Sequence, residues 1–167
     1  MSVGDLADAR GADAVCEWLR NVYPLYLHDL SEFDATYQLT PNGVWEPDYL
    51  PYWFEQPFCL PLVAFADGVP VGFAFVGQSP FPFMSPSCDF RLCEFFLLRK
   101  HRRTGLGRNI ALKLFSKLHG VWELVVLPRN TAAARFWRVV LPLASSESPS
   151  ESTDGSEIRF VLSNRAT

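Results

Sequence analysis

The spacing of apolar residues changes along the chain, and the change predicts helices first and strands later. Apolar side chains recur three and four positions apart over Gly11–Leu30, which predicts a helix with a kink or break at Pro24. The aromatic stretch Pro47–Pro57 predicts a second, short helix, and the polar segment Ser31–Gly43 predicts turns. No clear strand is predicted before the first helix.

Two apolar runs in the middle of the chain predict a β-hairpin. Cys59–Ala66 and Val69–Val76 flank the dipeptide Asp67-Gly68, whose residues tolerate the positive φ of a tight two-residue turn. The next segment, Gln78–Cys88, contains three prolines, so we expect an irregular surface loop.

The second half of the chain alternates strand and helix patterns. Strands are predicted at Phe90–Leu98 and Val121–Leu127. Helices are predicted at Gly107–Leu118 and Thr131–Val140, with Asn130 as the N-cap of the second. Such alternation indicates a mixed α/β fold.

The C-terminal segment gives weaker signals. A short strand is predicted around Leu141–Leu143, and the Ser/Glu/Pro-rich segment Ala144–Glu157 predicts a mobile hairpin loop. Ile158–Ser163 alternates enough to predict a closing strand.

Length and composition indicate one domain, residues 1–167, with an apolar core. The chain has no run of about 18 apolar residues, and Met1–Arg10 is mixed and acidic. We therefore expect no membrane association, no secretory signal and a cytoplasmic location. The four cysteines have no metal-ligand spacing and stand apart from the three histidines, so free thiols and no bound metal are expected.

A net charge of −3 conceals two regions of opposite sign. Met1–Pro57 contains ten acidic residues against two arginines, whereas Arg99–Lys117 holds seven of the fifteen basic residues. An acidic half beside a basic half suits a cationic acceptor facing an anionic cofactor. The overall acidity, with no helix-turn-helix or aromatic RNA-binding pattern, argues against nucleic acid as a partner.

The segment Glu94–Arg108 has the order strand, basic glycine-bearing turn, helix, which favours an anion-binding cradle. Gly105 and Gly107 permit a tight turn and a close approach of the backbone to a ligand. The first amides of the following helix lack intrahelical partners and lie at the positive end of the helix dipole, a good position for a phosphate.

Two motifs in this half resemble those of the Gcn5-related N-acetyltransferases, the GNAT superfamily. Arg102-x-x-Gly105-x-Gly107 is similar to its acetyl-CoA signature, and Asn130-x-x-Ala133-x-x-Phe136-Trp137 is similar to the opening of its next helix. The resemblance implies a central, mostly antiparallel twisted sheet flanked by helices. It implies cofactor motifs within about 90–140 and acceptor-side helices within about 11–57. The aromatic residues of those helices fit an acceptor pocket and plain core equally well.

The same resemblance implies acetyl-CoA as co-substrate and amides left free at the end of the strand that precedes the turn. The cofactor-binding residues that it implies are Phe96, Leu97, Leu98, Arg102, Arg103, Thr104, Gly105, Leu106, Gly107, Arg108, Asn130, Ala133, Phe136 and Trp137.

The proton chemistry departs from the family pattern. Trp137 stands where many relatives carry a tyrosine general acid, so a tyrosine acid must come from the N-terminal helices, with Tyr26 as the candidate, or water must act instead. Glu94, inside an apolar strand, is the candidate base, and an ion pair with an arginine is its alternative role. His28 is a further candidate because imidazole is a common general base, although helix-end capping by Asp29 or Ser31 explains the same cluster.

The function predicted from these residues is transfer of an acetyl group from acetyl-CoA to a primary amine by direct attack. The acceptor is expected to be a cationic small molecule or peptide, and the assembly a monomer or homodimer. A non-catalytic acyl-CoA-binding module of the same fold is the alternative, and a longer acyl chain is a second possible donor.

Overall fold

The computed structural model describes residues 4–165, so the ends of the predicted 1–167 domain and the first residues of Met1–Arg10 lie outside it. The strands are β1 (Asp5–Asp8), β2 (Gln38–Leu39), β3 (Trp45–Glu46), β4 (Cys59–Ala66), β5 (Val69–Gln78), β6 (Phe90–Leu97), β7 (Val121–Val126), β8 (Ser150–Thr153) and β9 (Ile158–Ser163). The α-helices are α1 (Asp13–Leu30), α2 (Leu50–Glu55), α3 (Leu106–Lys117) and α4 (Thr131–Ala144).

One seven-stranded sheet organises the fold, in the order β1-β4-β5-β6-β7-β9-β8. Neighbouring strands are antiparallel except for β6 and β7, which run parallel. The strands β2 and β3 form a separate two-stranded ribbon. These findings confirm the predicted mixed α/β class with a mostly antiparallel sheet flanked by helices.

Two apolar clusters cover the two faces of the sheet. On one face, α3 and α4 bury residues such as Ile110 and Leu141 against β6, β7 and β9. On the other face, α1 and α2 bury Leu19, Tyr23 and Trp53 against β4 and β5. The sheet therefore separates two helical layers, and side chains alternating along β6 reach both of them.

The predicted hairpin between β4 and β5 is confirmed. Its turn residues Asp67 and Gly68 have φ values of 51° and 75°, the left-handed region that this dipeptide tolerates. Farther along β5, Gly72 allows a close approach of β6, because a Cβ there would lie 2.1 Å from the carbonyl oxygen of Phe96.

One prediction for the N-terminal segment is wrong, and a second is answered only as to a break in the helix. A first strand does exist: β1 pairs antiparallel with β4 at the edge of the sheet. Its four residues include two aspartates, which hid the apolar pattern. The first helix also continues without a break through Pro24. Pro24 is exposed, and the buried face formed by Leu19, Tyr23 and Leu27 holds the helix together despite the missing amide hydrogen bond.

The C-terminal predictions need a similar correction. Leu141–Leu143 is the last turn of α4 rather than a strand, because Val140 and Leu141 continue its buried stripe. The segment 144–157, predicted to be a mobile loop, contains the edge strand β8. All four residues of β8 are exposed, so no apolar alternation reveals this strand. The closing strand β9 is confirmed.

Candidate active site

The parallel strands β6 and β7 separate partway along their length. They pair only from Phe90–Leu92 to Trp122–Leu124, while β6 continues to Leu97. The amide of Leu98 donates to the carbonyl of Val71 in β5 at 2.9 Å. Since successive amides point to opposite edges of a strand, the amide of Leu97 faces the gap beside β7. Leu97 thus lies beyond the residues of β6 that pair with β7, with its amide directed to that side.

The turn after β6 has an unusual backbone. Arg103 and Gly105 both adopt positive φ, 63° and 86°, and α3 begins at Leu106. When residues in the left-handed conformation alternate with residues in other conformations, successive backbone N–H groups point to the same side and form a concave anion-binding site. The first amides of α3 lie at its positive end. The side chains of Arg103 and Arg108 are exposed beside this turn. The residues present therefore fit a pyrophosphate group.

Arg102, the first residue of the signature, makes internal contacts. Its Nε donates to the carbonyl of Leu97 at 2.7 Å, and its Nη2 pairs with Asp29 at the end of α1 at 2.5 Å. Its guanidinium carbon also lies 5.1 Å from the centroid of the Phe96 ring. Arg102 thus ties the turn to the end of β6 and to α1.

Asp29 links the cofactor turn to the opposite helical layer. Its second oxygen accepts from Nη2 of Arg99 at 2.8 Å. Partial burial acts to raise the pKa of Asp29, but hydrogen bonds and charge from Arg102 and Arg99 outweigh it and lower the pKa below its ordinary value. One carboxylate therefore joins both arginines to α1.

The two sequence motifs meet in space. A Cβ on Gly107 would lie 3.1 Å from Cδ1 of Leu97 and 3.5 Å from Cε2 of Phe136, so α3, β6 and α4 converge there. Asn130 is the predicted N-cap, and its side chain accepts from the amide of Ala133 at 3.1 Å.

The other residues of the second motif pack mainly into the sheet. Trp137 is only 5% exposed and contacts Phe95 and Phe115 edge-on, at 5.2 and 6.4 Å between ring centroids. Phe136 is half-buried and stacks on Phe95 at 5.9 Å. Trp137 lies in the core at the place where relatives carry a tyrosine.

Glu94 points to the opposite face of β6, toward α1 and α2. A β-bulge at this point shifts the register between β5 and β6, so that Phe75 opposes Glu94 and Val76 opposes Leu92. Bulges of this kind redirect side chains near functional sites. Oε1 of Glu94 accepts a hydrogen bond from the hydroxyl of Tyr23 at 3.3 Å, whereas Oε2 is closed off from solvent without a partner.

The environment of Glu94 raises its pKa to about 8. Burial of the carboxyl group is the main cause, and the negative charge of Asp48 acts in the same direction. Two groups act to lower the pKa of Glu94: the hydroxyl of Tyr23, through its hydrogen bond, and the nearby indole of Trp53. The indole does not form a hydrogen bond to either carboxyl oxygen of Glu94. A carboxyl group with this pKa can exchange a proton near neutral pH.

The structure brings Tyr26, but not His28, close to this carboxyl group. The half-buried Tyr26 ring lies edge-on to Phe96, 5.8 Å between centroids, near the end of β6. Burial, followed by the charge of Glu94, raises the pKa of Tyr26 well above its usual value. His28 is exposed, with its ring 5.9 Å from that of Trp45.

Sequence reasoning did not single out Tyr23, the only described residue whose side chain makes a hydrogen bond to Glu94. Its position three residues before Tyr26 places both rings on one face of α1, which is the signal that could have identified it.

Within residues 4–165, no helix is both long and apolar enough to cross a membrane. The same part of the chain holds no group of three or more His, Cys, Asp and Glu arranged for a metal ion.

Comparison with known proteins agrees with this geometry. The family model of the acetyltransferase (GNAT) family matches residues 13–140, and the chain belongs to this family. No curated protein sequence matches this chain.

Solved structures share the fold at low identity. An acetyltransferase from Thermus thermophilus is 20% identical, with a TM-score of 0.61 and coverage of 98% of this chain and 99% of that one. The PaiA N-acetyltransferase from Thermoplasma acidophilum, in complex with coenzyme A, is 15% identical, with a TM-score of 0.56 and coverage of 98% and 99%. A ribosomal-protein alanine N-acetyltransferase from Escherichia coli is 14% identical, with a TM-score of 0.57 and coverage of 98% and 96%.

Proposed function

We propose that this GNAT family member is an acetyl-CoA-dependent N-acetyltransferase that modifies a primary amine by direct attack. The observation that carries the proposal is the position of Glu94, a half-buried carboxyl group that accepts a hydrogen bond from Tyr23. It lies on the strand whose C-terminal end borders the gap beside β7 and the turn at Arg103 and Gly105. A proton acceptor and an acyl-CoA site on one strand suit acyl transfer from a thioester to an amine.

The cofactor side would bind chiefly through the backbone. Amides from Arg103 to Arg108 and the start of α3 would hold the pyrophosphate, and exposed Arg103 and Arg108 would add charge. The gap-facing amide of Leu97 would donate to the thioester carbonyl as negative charge develops on it. The PaiA N-acetyltransferase from Thermoplasma acidophilum, which shares the fold, is in complex with coenzyme A, and this supports a CoA thioester as the ligand.

Glu94 is the base of the proposed reaction. The amine nitrogen bonds to the acetyl carbon, its proton passes to Glu94 directly or through water, and the C–S bond breaks to release CoA as thiolate. The pKa of about 8 keeps a useful fraction of Glu94 deprotonated near neutrality while making it a better base than an exposed carboxylate.

The thiolate needs a proton, and Tyr26 is the proposed donor. Its ring lies beside Phe96 near the end of β6. Because burial raises the pKa of Tyr26, its hydroxyl is protonated but is a weaker acid than a free phenol, and water is the alternative donor. Trp137 cannot replace it, because an indole N–H is too weak an acid and this side chain is buried in the core. His28, exposed beside Trp45, has no role in this proposal.

Calorimetry tests the binding of acetyl-CoA first, and an acetyl-transfer assay then tests catalysis. Titration with acetyl-CoA is expected to show binding, and Arg102→Glu is expected to weaken it by placing a carboxylate against Asp29 and the turn. Arg138→Glu is the control, because Arg138 pairs with Glu151 on another part of the surface. Absence of binding at millimolar acetyl-CoA would reject the proposal.

Transfer across a panel of amines, followed by mass spectrometry, separates the enzyme from the alternative of a non-catalytic acyl-CoA-binding module. The hydrogen-bonded Glu94–Tyr23 pair favours the enzyme, because a binding module needs no base at this point. Acetylated product identifies an enzyme, whereas tight binding of acetyl-CoA without transfer to any amine would support the module.

A further inference from the structure

The loop between β5 and β6 directs aromatic rings toward α2. Phe81 is buried and stacks on Trp53, with ring centroids 5.8 Å apart. Phe83 is 65% exposed, and its ring centroid lies 6.3 Å from that of Tyr52. Phenylalanine is among the residues most often buried, so an exposed ring next to a second aromatic ring is a distinctive surface feature. We call Tyr52, Trp53, Phe81 and Phe83 the aromatic wall.

The aromatic wall connects solvent with the proposed base. Trp53 packs against Phe75 at 4.9 Å between ring centroids, and Phe75 is the strand partner of Glu94 across β5 and β6. The indole of Trp53 also lowers the pKa of Glu94. Ring contacts therefore run from exposed Phe83 through Phe81 and Trp53 to Phe75, the strand partner of Glu94.

The loop that carries Phe83 is fixed from beneath by Glu123 of β7, which is only 1% exposed. Oε1 of Glu123 accepts from the amide of Ser85 at 3.1 Å and from Nη1 of Arg91 at 3.3 Å, and Oε2 accepts from Arg159. The same Nη1 of Arg91 donates to the carbonyl of Phe83 at 2.5 Å. Because a buried carboxyl group with several donors holds its partners in one arrangement, Phe83 occupies a defined position.

Charge around the aromatic wall favours an acceptor with a single cationic group. The segment Ser31–Pro57, which carries Tyr52 and Trp53, contains five acidic residues and no lysine, arginine or histidine. Beneath the Phe83 loop, Arg91 and Arg159 both pair with Glu123, so two positive charges face one carboxylate. The acidic segment therefore favours one cationic amine, and the excess positive charge beneath Phe83 disfavours a second cation there.

From these observations we infer that the aromatic wall is a binding subsite for the non-reacting part of the acceptor, and that the acceptor is a primary amine attached to one apolar, ring-sized body. This inference rests on the proposed function and names its substrate class. The amine would reach Glu94 while the apolar body packs on Tyr52 and Phe83. A small arylalkylamine and a peptide with an N-terminal phenylalanine present the same chemistry.

Calorimetry with 2-phenylethylamine tests the subsite on the full chain, both alone and saturated with CoA. Phe83→Ala is expected to weaken amine binding roughly three- to tenfold, the range expected for the loss of one aromatic contact. Phe83→Tyr retains a ring and is expected to keep the wild-type affinity. Val139→Ala is the matched control, because Val139 is 63% exposed on α4 and takes no part in the aromatic wall.

Further ligands separate the possible outcomes. Spermidine, with a cationic far end, is expected to bind more weakly than 2-phenylethylamine. The tripeptide Phe-Ala-Ala amide distinguishes a peptide source from a small molecule, and Phe83→Ala should weaken whichever binds. Equal amine affinity of wild type and Phe83→Ala, tighter binding of spermidine, or no binding of either ring-bearing ligand would each overturn the subsite. The CoA titration reports separately on the proposed function, because it does not depend on Phe83.

Discussion

The two sides of β6 are built by different means. On the cofactor side, the gap beside β7 and the turn at Arg103 and Gly105 offer backbone amides, whose positions follow from local conformation. On the acceptor side, side chains from distant segments meet: Tyr23 and Glu94 are 71 positions apart along the chain. A site made of backbone amides depends on local conformation, whereas a site made of side chains depends on packing and charge. Substitutions on one side of β6 should therefore change its function without changing that of the other side.

Replacing the proposed base should give the largest effect. Glu94→Gln is expected to reduce kcat/KM by about 10²- to 10⁴-fold, the usual contribution of a general base, while leaving the affinity for acetyl-CoA unchanged. Initial rates of CoA release and calorimetry measure the two quantities. Activity within threefold of wild type would contradict the role of Glu94.

The same variant has a stability signature that checks its folding. The folded-state pKa of Glu94, about 8, lies above the ordinary value of 4.5, so the folded protein binds the proton more tightly than the unfolded chain. Glu94 therefore makes wild-type stability fall as pH rises between these values. Glu94→Gln should lack this contribution, so denaturation near pH 8 is expected to show a variant at least as stable as wild type.

A substitution between the two sides should damage both. The Cβ of Gly72→Ala would lie 2.1 Å from the carbonyl oxygen of Phe96 and 3.0 Å from Cα of Leu97, so β6 has to move. We expect a loss of about 1–3 kcal/mol in the free energy of unfolding, measured in urea, together with weaker acetyl-CoA binding and slower turnover. Gly11→Ala is the control, since a Cβ there meets nothing within 4 Å.

A change confined to the turn should affect the cofactor side alone. Gly105 has φ of +86° and open space around its Cβ position, so Gly105→Ala strains the backbone without a clash. Its expected cost is about 1–2 kcal/mol of conformational energy, with weaker acetyl-CoA binding. Gly155→Ala is a matched control, because Gly155 has φ of +93° in equally open space within the β8–β9 turn. Equal loss of acetyl-CoA affinity in both variants would contradict the anion-binding role of the turn.

The link between the two sides should give the smallest effect. Asp29→Asn removes the ion pairs with Arg99 and Arg102, which are partly exposed, so a loss below about 1 kcal/mol is expected at pH 7. The lowered pKa of Asp29 means that its contribution is present at neutral pH and disappears as pH falls through the folded-state pKa. Urea denaturation at pH 7 and at a series of pH values below 3.8, the ordinary pKa, tests this. A stability difference that does not shrink across the acidic series would contradict it.

The backbone features of the proposed cofactor side could be predicted from the sequence because their determinants are local. Gly105, Gly107 and Asn130 mark a turn, a close approach and a helix cap, and each of these depends on a few neighbouring residues. The fold class followed for the same reason, since hairpin and helix patterns are visible along the chain. The edge strands β1 and β8 were missed because they are short and polar, and only pairing with a neighbouring strand defines them.

The acceptor side could be predicted only in part. An acid within an apolar strand drew attention to Glu94, but its partner Tyr23 looked like any core aromatic residue of α1. The network beneath the Phe83 loop joins β6, β7 and β9, and the bulge that aims Glu94 depends on strand register. Long-range contacts of this kind leave no periodic signal in a single sequence.

The pH dependence of kcat at saturating acetyl-CoA and amine tests the central claim, that Glu94 held by Tyr23 is the base. Wild-type kcat should rise with pH and level off near the Glu94 pKa of about 8, because only the carboxylate accepts a proton. Tyr23→Phe removes the hydrogen bond that lowers this pKa, so its profile should move to higher pH, and Glu94→Gln should lose the inflection. A single unchanged inflection in all three proteins would place the titrating group elsewhere and contradict the claim.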